Sequence, residues 1–243
     1  MVEQEGYLVF IESFNHIHKY LKKYTDSDDN VSFSDLLYKA KAHPMIHLYL
    51  DELHLFRKLR NIIVHQTDDF EQLIATPSDE VVERIKFIEQ QLVDPSTVGV
   101  FKAEVIKFNA TDSIEDVLKL SGEKEILKLP IYENNKFIGL ATSRAIAKWL
   151  QKHIQNNTIE LSGTVKDLLD FEKKSQYEFI ASSMTVYEAW HLFQASPKKL
   201  DALLLTESGR QEDVIEAVIT YDDLLKYIYT HDQYVFNLRL LKF

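Results

Sequence analysis

The feature that most constrains the fold is an internal repeat in the C-terminal part of the chain. A strand pattern, a helix start, two more strand patterns and a second helix start follow one another from residue 105, and the same order returns from residue 177. The spacing from Ile114 to Thr142 is 28 residues, and from the matching Val186 to Thr220 it is 34. One β-α-β-β-α unit of this size cannot bury both faces of its sheet, whereas two stacked copies can. The repeat therefore predicts one compact body with pseudo-twofold symmetry.

Each copy contains three predicted strands and two helix starts. In the first copy, about residues 97–153, the strands are 105–108, 126–132 and 137–141. In the second copy, about residues 164–230, the strands are 177–180, 202–206 and 214–219. The helix starts are Ser113, Thr142, Thr185 and Thr220. A Thr-Val pair precedes each copy, and a longer hairpin loop around residues 208–211 accounts for the longer second spacing.

Four helices are predicted in the region before the repeat, at about residues 4–24, 32–42, 45–65 and 79–92. Apolar residues recur there at spacings of three and four, and Pro44 restarts the chain before the third helix. Four helices with short connections are typical of an up-and-down bundle. We therefore predict an α+β protein. Its parts are a helical bundle at 1–95, a tandem β-α-β-β-α pair at 96–230 and a C-terminal tail at 231–243.

Charge and hydropathy exclude several classes of protein. The chain has a net charge of -10, and residues 1–95 alone hold 10 Lys and Arg against 17 Asp and Glu. Such a balance argues against binding to duplex nucleic acid and against a strong grip on RNA. No apolar run approaches the roughly 18 residues that suggest a membrane span, and the N-terminus is acidic where a signal peptide is basic. We expect a cytoplasmic protein without a membrane partner.

Metal chemistry is also not expected. The chain has no cysteine, which excludes disulfides and thiolate-bound metals. His43 and His47 have the i, i+4 spacing of a zinc helix. However, Pro44 lies between them and no third ligand is evident.

The repeat resembles a tandem pair of CBS (cystathionine-β-synthase-type) domains over about residues 96–230. In that family the third strand ends in Gly-hydrophobic-x-Thr-x-x-Asp. The second copy has Thr220 and Asp223, although an alanine replaces the glycine. The first copy keeps the glycine and Thr142, but Ala145 stands where the aspartate is expected. The segments that carry the resemblance are 129–132, 137–142 and 218–223.

The resemblance implies an adenosine-containing ligand in the cleft between the copies. In such pairs the aspartate accepts hydrogen bonds from both ribose hydroxyls, and the helix start faces a phosphate. We therefore expect one competent ribose site, around Asp223. The implied ligand-binding residues are Thr220, Asp223, Tyr221, Phe179, Ile180, Ala181, Thr142 and Arg144. The implied ligands are AMP, ADP, ATP, an S-adenosyl compound or a cyclic dinucleotide, and no cofactor is required.

The same threonine and aspartate have a second interpretation. Thr-x-x-Asp at a helix start is close to a capping box. On that interpretation, Thr220 and Asp223 only close their own helix end, and the cleft binds nothing.

Arg60 lies in the middle of the apolar arc of the third predicted helix. On a helical wheel, Leu53, Phe56 and Ile63 fall within about 60° of it. Burying a guanidinium costs several kcal/mol unless it is paired. Asn61 and His65 lie one turn apart on the flank of the same helix. The sequence Arg60-Asn61-x-x-x-His65 in the third helix of a four-helix bundle resembles the HEPN domain, over about residues 4–93.

The HEPN resemblance implies a dimer and, in nucleolytic members, a metal-independent ribonuclease site. His65 would then handle a proton and Arg60 would stabilise charge on the phosphate. Because Arg60 and His65 diverge by about 140° on one helix, two copies would have to face each other to form the site. The structural alternative is that Arg60 forms a salt bridge, for example with Glu12, and His65 is hydrogen-bonded at a helix end.

Three functions follow from these patterns. The main prediction is a cytoplasmic regulatory protein that senses an adenine nucleotide through its CBS pair and forms a homodimer through its helical domain. The second is a ribonuclease regulated by nucleotide, with Arg60, Asn61 and His65 as catalytic residues. The third is a structural adaptor without a ligand.

Overall fold

The computed structural model describes residues 2–67, 76–155, 158–172, 176–196 and 199–231. For residues 2–5, 65–67 and 155 it describes the backbone only. The chain divides into two compact units, residues 1–96 and 97–243. Apart from His231, which ends the last helix, the predicted tail at 231–243 lies outside the described residues.

The first unit is helical, and α1 packs against α2, α4 and α5. Its buried apolar positions on α1 recur at spacings of three and four, which places them on one face. Those positions are Phe10, Phe14, Ile17 and Leu21. The helices are α1 (Val2–Tyr24), α2 (Phe33–Lys39), α3 (Pro44–Leu48), α4 (Leu50–Thr67) and α5 (Asp79–Val93).

The prediction of one continuous helix over 45–65 is wrong, because the chain leaves helical geometry at Tyr49. This residue has φ -103° and ψ 14° and separates α3 from α4. The Tyr49 ring is almost fully buried and packs edge-on against Phe87. The Arg84 guanidinium lies 5.2 Å from the ring centroid. Packing by residues about 35 positions away therefore decides a break that the hydrophobic period does not signal.

A buried ion pair joins α4 to α5 in this unit. Arg84 donates from Nε and from one terminal nitrogen to the two carboxylate oxygens of Glu52, at 2.7 and 3.0 Å. The Arg84 side chain is only 8% exposed. Two parallel charge-assisted bonds offset part of the cost of burying the guanidinium.

The second unit contains two three-stranded sheets with the same strand arrangement. In each sheet the first two strands are parallel, and the second and third are antiparallel. The first sheet and its helices are β1 (Phe108–Asn109), α6 (Ile114–Glu123), β2 (Lys128–Glu133), β3 (Lys136–Thr142) and α7 (Ser143–Lys152). A short hairpin follows, β4 (Ile154–Gln155) and β5 (Thr158–Ile159). The second sheet and its helices are β6 (Tyr177–Ala181), α8 (Val186–Ala195), β7 (Ala202–Thr206), β8 (Ala217–Ile219) and α9 (Tyr221–His231).

The predicted strand at 105–108 is longer than the observed one. Only Phe108 and Asn109 pair with β2. Just before these residues the chain lies against the second copy. There the Ala103 N–H donates to the Glu216 carbonyl at 3.0 Å. The segment has strand composition, but its strand pairing begins only at Phe108. The predicted strand at 214–219 is likewise reduced to β8, and the hairpin β4–β5 was not predicted.

The two Thr-Val segments cross between the copies. Each starts a 3₁₀-helix, at Val98–Phe101 and Val165–Phe171. The Val98 N–H donates to Met184 at the start of α8, at 2.8 Å. The Val165 N–H donates to Asp112 at the start of α6, at 2.9 Å. Each copy is therefore closed by the segment that precedes the other copy.

An apolar cluster contains residues of both sheets. Phe137 lies at its centre, edge-on to Tyr132, Tyr177 and Phe179 with ring centroids 5.5 to 5.9 Å apart. The buried members are Tyr132, Phe137, Leu140, Ala202, Leu204 and Ile215. Since each sheet buries one face against the other, the two copies form one body.

Candidate functional site

A cleft of about 570 Å³ is lined by residues of both copies. Its walls come from the starts of β2 and β7 and from the N-terminal ends of α7 and α9. Among the lining residues are Lys128, Ser143, Phe193, Asp201, Val218, Thr220, Tyr221, Asp222, Asp223 and Lys226. The strands turn into helices at this edge, so side chains and helix N-termini converge there.

Thr220 and Asp223 form a reciprocal cap at the start of α9. The N–H and the hydroxyl of Thr220 donate to Asp223 Oδ2 at 2.8 and 2.6 Å, and the Asp223 N–H faces the threonine oxygen at 3.3 Å. The capping interpretation is therefore correct for one carboxylate oxygen. Among the described residues the other oxygen, Oδ1, has no hydrogen-bond partner. Capping and acceptance of a further donor are compatible at this residue.

At the start of α7, a residue from outside the motif accepts the two donors of Thr142, although the Thr142 side chain itself makes no cap hydrogen bond. The N–H and the hydroxyl of Thr142 both donate to Glu172 Oε1 at 2.6 Å. Glu172 follows the second 3₁₀-helix, 30 residues further along the chain. Ala145, at the position of the missing aspartate, is fully buried. Glu172 therefore supplies the carboxylate that the first copy lacks.

Arg144 is occupied by protein acceptors. One terminal nitrogen donates to Asp201 Oδ2 at 2.8 Å and to Gln176, and it lies 3.4 Å from Glu172 Oε2. The Asp201 carboxylate, followed by Glu172, raises the pKa of the Arg144 guanidinium above its usual value. Both donors of Thr142 and one terminal nitrogen of Arg144 therefore already bind protein acceptors, while the Arg144 side chain is 41% exposed. Their expected role at a ligand phosphate stays a prediction.

Of the other expected ligand-binding residues, only Tyr221 lines the cleft. Its ring lies edge-on to Phe193, with centroids 5.9 Å apart. Phe179 instead packs in the cluster between the sheets, and Ile180 is buried in β6. Ala181 pairs with Thr206 of β7. Successive side chains of β6 point to opposite faces of the sheet, and these three do not line the cleft.

Two lysines lie at the cleft. Lys128 is at the start of β2, and its Nζ is 4.0 Å from Asp201 Oδ1. Lys226 is on α9, three residues after Asp223. Both lysines, like Glu172, were missed by the sequence analysis. The alanine at 145 was a signal that a carboxylate had to come from elsewhere, but nothing in the local spacing pointed to position 172.

The Arg-Asn-x-x-x-His motif lies on α4. Arg60 is half-buried, and its Nε is buried without a hydrogen-bond partner in the described part of the chain. The suggested salt bridge with Glu12 is not formed between these two described residues, and Glu12 is exposed. Asn61 is half-buried, and the side chain of His65 lies outside the described residues. No composite site follows from these positions.

His18 on α1 lies near Arg60. Burial, together with the positive charges of Lys22 and Arg60, lowers the pKa of the His18 imidazole. The ring packs edge-on against Phe14 and Phe33, and its Nε2 is buried without a hydrogen-bond partner among the described residues. Three side-chain nitrogens of the helical unit are thus buried without a hydrogen-bond partner among the described residues: His18 Nε2, Arg57 Nε and Arg60 Nε.

The histidines near Pro44 have a structural role. His43 Nδ1 accepts the Met45 N–H at 3.2 Å and thereby caps α3, while its Nε2 lies 3.2 Å from the Tyr20 hydroxyl. Within the described ranges, no group of three His, Asp or Glu side chains is placed to hold a metal ion. In the same ranges, no helix is long and apolar enough to cross a membrane.

Comparison with known proteins identifies one family. The sequence model of the CBS domain matches residues 99–152, so the chain contains a CBS domain there. Comparison with curated proteins finds no similar sequence.

Solved structures of CBS proteins resemble the chain over about half its length. CBSX2 from Arabidopsis thaliana is 19% identical, with 57% of this chain and 98% of that chain covered and a TM-score of 0.42. A structure of CBSX2 in complex with AMP is 20% identical over 56% and 97% of the two chains, with a TM-score of 0.41. The CBS domain of the bacterial CNNM/CorC family Mg²⁺ transporter in complex with ATP is 16% identical over 63% and 97%, with a TM-score of 0.43.

Proposed function

We propose that this protein is a regulatory protein whose two repeat copies form a tandem CBS pair and bind one adenine nucleotide in the cleft between them. The observation that carries the proposal is the position of Asp223 at the cleft, with one carboxylate oxygen in the cap and the other without a partner. An ionised carboxylate suits the two vicinal hydroxyls of a ribose.

The charges at the cleft indicate which nucleotide suits it. Its lining contains four carboxylates (Glu125, Asp201, Asp222 and Asp223) against two lysines (Lys128 and Lys226). We propose that the lysines bind the ligand's phosphate, since Arg144 does not line the cleft and already donates to Asp201. The excess of carboxylates disfavours a polyphosphate, because like charges in a partly enclosed cleft repel. We therefore expect AMP or an S-adenosyl compound to bind more tightly than ATP or a cyclic dinucleotide.

A thermal-shift panel tests this proposal. The full chain is heated with AMP, ADP, ATP, S-adenosylmethionine or a cyclic dinucleotide. A ligand at 100 times its dissociation constant should stabilise the folded state by about 2.7 kcal/mol. Asp223→Ala should abolish the shift. No shift with any nucleotide would overturn the sensor proposal and favour an adaptor with an empty cleft.

Asp167→Ala is the matched control. Asp167 caps Thr164 with the same geometry, accepting its N–H at 2.8 Å, but it does not line the cleft. This variant loses a helix cap of the same chemistry, and the nucleotide should still raise its melting temperature. Loss of the shift in both variants would mean that capping, rather than ribose contact, controls the result.

We further propose that the helical unit is a HEPN-like dimerisation domain. Leu55 and Ile62 are exposed on α4 at a spacing of seven residues, which places both on one face. Sedimentation equilibrium should give two copies of the full chain per particle, and the double variant Leu55→Glu/Ile62→Glu should be monomeric. Gln90→Glu, an exposed change on α5, is the control. A monomeric wild type would contradict the proposal.

The ribonuclease is the alternative for the same unit. It requires Arg60 and His65 to meet across a dimer, and no contact among the described residues favours that arrangement. RNA cleavage by the wild type that disappears in a folded His65→Ala variant would establish it.

A further inference from the structure

We propose that Glu172 fills the ligand position of the first copy, so that the pair binds one nucleotide per chain rather than two. This inference rests on the proposed function for the nucleotide itself, but the occupancy of the position by Glu172 can be tested without any nucleotide.

The argument starts from the correspondence between the two helix starts. In the second copy, Asp223 takes both donors of Thr220 at 2.8 and 2.6 Å. In the first copy, Glu172 takes both donors of Thr142 at 2.6 Å. The two threonines donate alike, but the carboxylates differ in origin. In the second copy the Asp223 N–H also donates to the threonine oxygen, whereas the Thr142 side chain makes no cap bond of this kind in the described part of the first copy. Asp223 comes from the helix that it caps, whereas Glu172 enters from another segment.

Burial separates the two carboxylates. The Glu172 side chain is 9% exposed, whereas Asp223 is half-buried at the edge of the cleft. Glu172 Oε1 holds the threonine donors, and Oε2 lies beside the Arg144 guanidinium. Asp223 keeps one oxygen without a partner among the described residues. Glu172 therefore takes the place of a bound anion, whereas Asp223 can accept a further hydrogen bond.

Charge around Arg144 points the same way. Arg144 lies between the carboxylates of Glu172 and Asp201, and Lys128 lies on the far side of Asp201. An incoming phosphate would have to displace Glu172 from two hydrogen bonds and would approach a second carboxylate. The side chain of Ala145 is a buried methyl group, which cannot accept a hydrogen bond from a ribose hydroxyl. The first copy therefore offers neither a free anion site nor a ribose acceptor.

The first experiment measures phosphate binding by isothermal titration calorimetry on the full chain. Glu172→Ala frees both Thr142 donors and removes one of the two carboxylates at Arg144, so inorganic phosphate should bind this variant at least about tenfold more tightly than the wild type. Glu172→Gln keeps a carbonyl oxygen of the same reach and should behave like the wild type. Glu178→Ala, an exposed change in β6, controls for the lost negative charge. Urea denaturation of each variant shows that it is folded.

The second experiment counts nucleotides per chain for whichever nucleotide stabilises the protein. We expect one in the wild type and none in Asp223→Ala. Two nucleotides per chain in the wild type, with one lost in Glu172→Ala, would overturn the inference and make Glu172 a ribose acceptor. A folded Glu172→Ala variant without any gain in phosphate binding would also overturn it. If the wild type binds no nucleotide, the proposed function fails, and the phosphate titration alone decides whether Glu172 fills the position.

Discussion

The two copies of the repeat differ most at the starts of their second helices. Both place a threonine at the helix start and a carboxylate on its two donors. In the second copy the carboxylate is local, three residues along the chain, and half-buried. In the first copy it comes from Glu172, 30 residues away, and is buried. The comparison shows that a helix start can keep its hydrogen bonds while the surface it offers to a ligand changes.

The hairpins of the two copies differ as well. The first hairpin turns through Asn134 and Asn135, both with positive φ (50° and 61°), as in a tight type I′ turn. The second runs through a longer loop in which Ser208 donates from its N–H and hydroxyl to Asp213 at 3.0 and 2.5 Å. A two-residue turn depends on backbone conformation, whereas the longer loop depends on a side chain.

The largest expected effect tests whether the two copies unfold as one cooperative unit. Phe137→Ala should lower the free energy of unfolding by about 3–5 kcal/mol, because Phe137 is buried between the two sheets. The chain has two tryptophans, Trp149 in the first copy and Trp190 in the second. In Trp149→Phe and Trp190→Phe backgrounds, fluorescence therefore follows one copy at a time.

In Phe137→Ala, the unfolding transitions reported by Trp149 and by Trp190 should shift together. Phe193→Ala, a half-buried change on α8, is the control and should cost less. Separate unfolding transitions in the two tryptophan backgrounds would contradict this prediction, because the copies would then unfold as independent domains.

The next effect compares the two caps in the absence of ligand. Glu172→Ala should destabilise the protein by about 1–3 kcal/mol, because it leaves the buried donors of Thr142 without a partner and removes one of the two carboxylates at Arg144. Asp223→Ala should cost about 0.5–1 kcal/mol, since water can replace a half-exposed cap. Urea denaturation measures both. Equal costs would show that the burial of Glu172 has no energetic consequence.

Substitutions in the two hairpin loops should change the stability of the protein in opposite directions. Asn135→Gly should stabilise the protein by about 0.5 kcal/mol, because glycine adopts positive φ without strain. Gly209→Ala should destabilise it by about 1 kcal/mol, since Gly209 has φ 79° and an added Cβ would lie 3.1 Å from the Ala181 nitrogen. Thermal denaturation followed by circular dichroism is the measurement. A stabilising Gly209→Ala would show that the longer loop relaxes freely.

The smallest effect is a pH dependence confined to the longer loop. The hydrogen bonds from Ser208 lower the pKa of the Asp213 carboxyl below its ordinary value of 3.8. The loop is therefore stabilised by the ionised carboxylate above pH 3.8, and this stabilisation is lost as the pH falls through the lower, folded-state pKa. A carboxyl NMR titration should give a midpoint below 3.8 for Asp213. Ser208→Ala should return it towards that value, and a wild-type midpoint at or above 3.8 would contradict the assignment.

Local signals in the sequence located most of the helix starts. Ser113 and Thr185 are observed caps that accept N–H groups three residues on, and Thr220 with Asp223 forms the expected box. These predictions are confirmed because a cap and its donors lie within four residues. The break at Tyr49 and the short β1 were not foreseen, since packing by Phe87 and Arg84 and the path along the second copy decide them.

The repeat, its main strands and helices and the helix start at Asp223 could be predicted from the sequence, because hydrophobic period, turn residues and caps act over a few neighbouring residues. The carboxylate that binds Thr142, the acceptors that hold Arg144 and the copy that each Thr-Val segment completes became evident only in the folded chain. Those outcomes depend on contacts between residues 30 to 90 positions apart. Spacing along the chain carries no information about such contacts, since the fold alone brings the partners together.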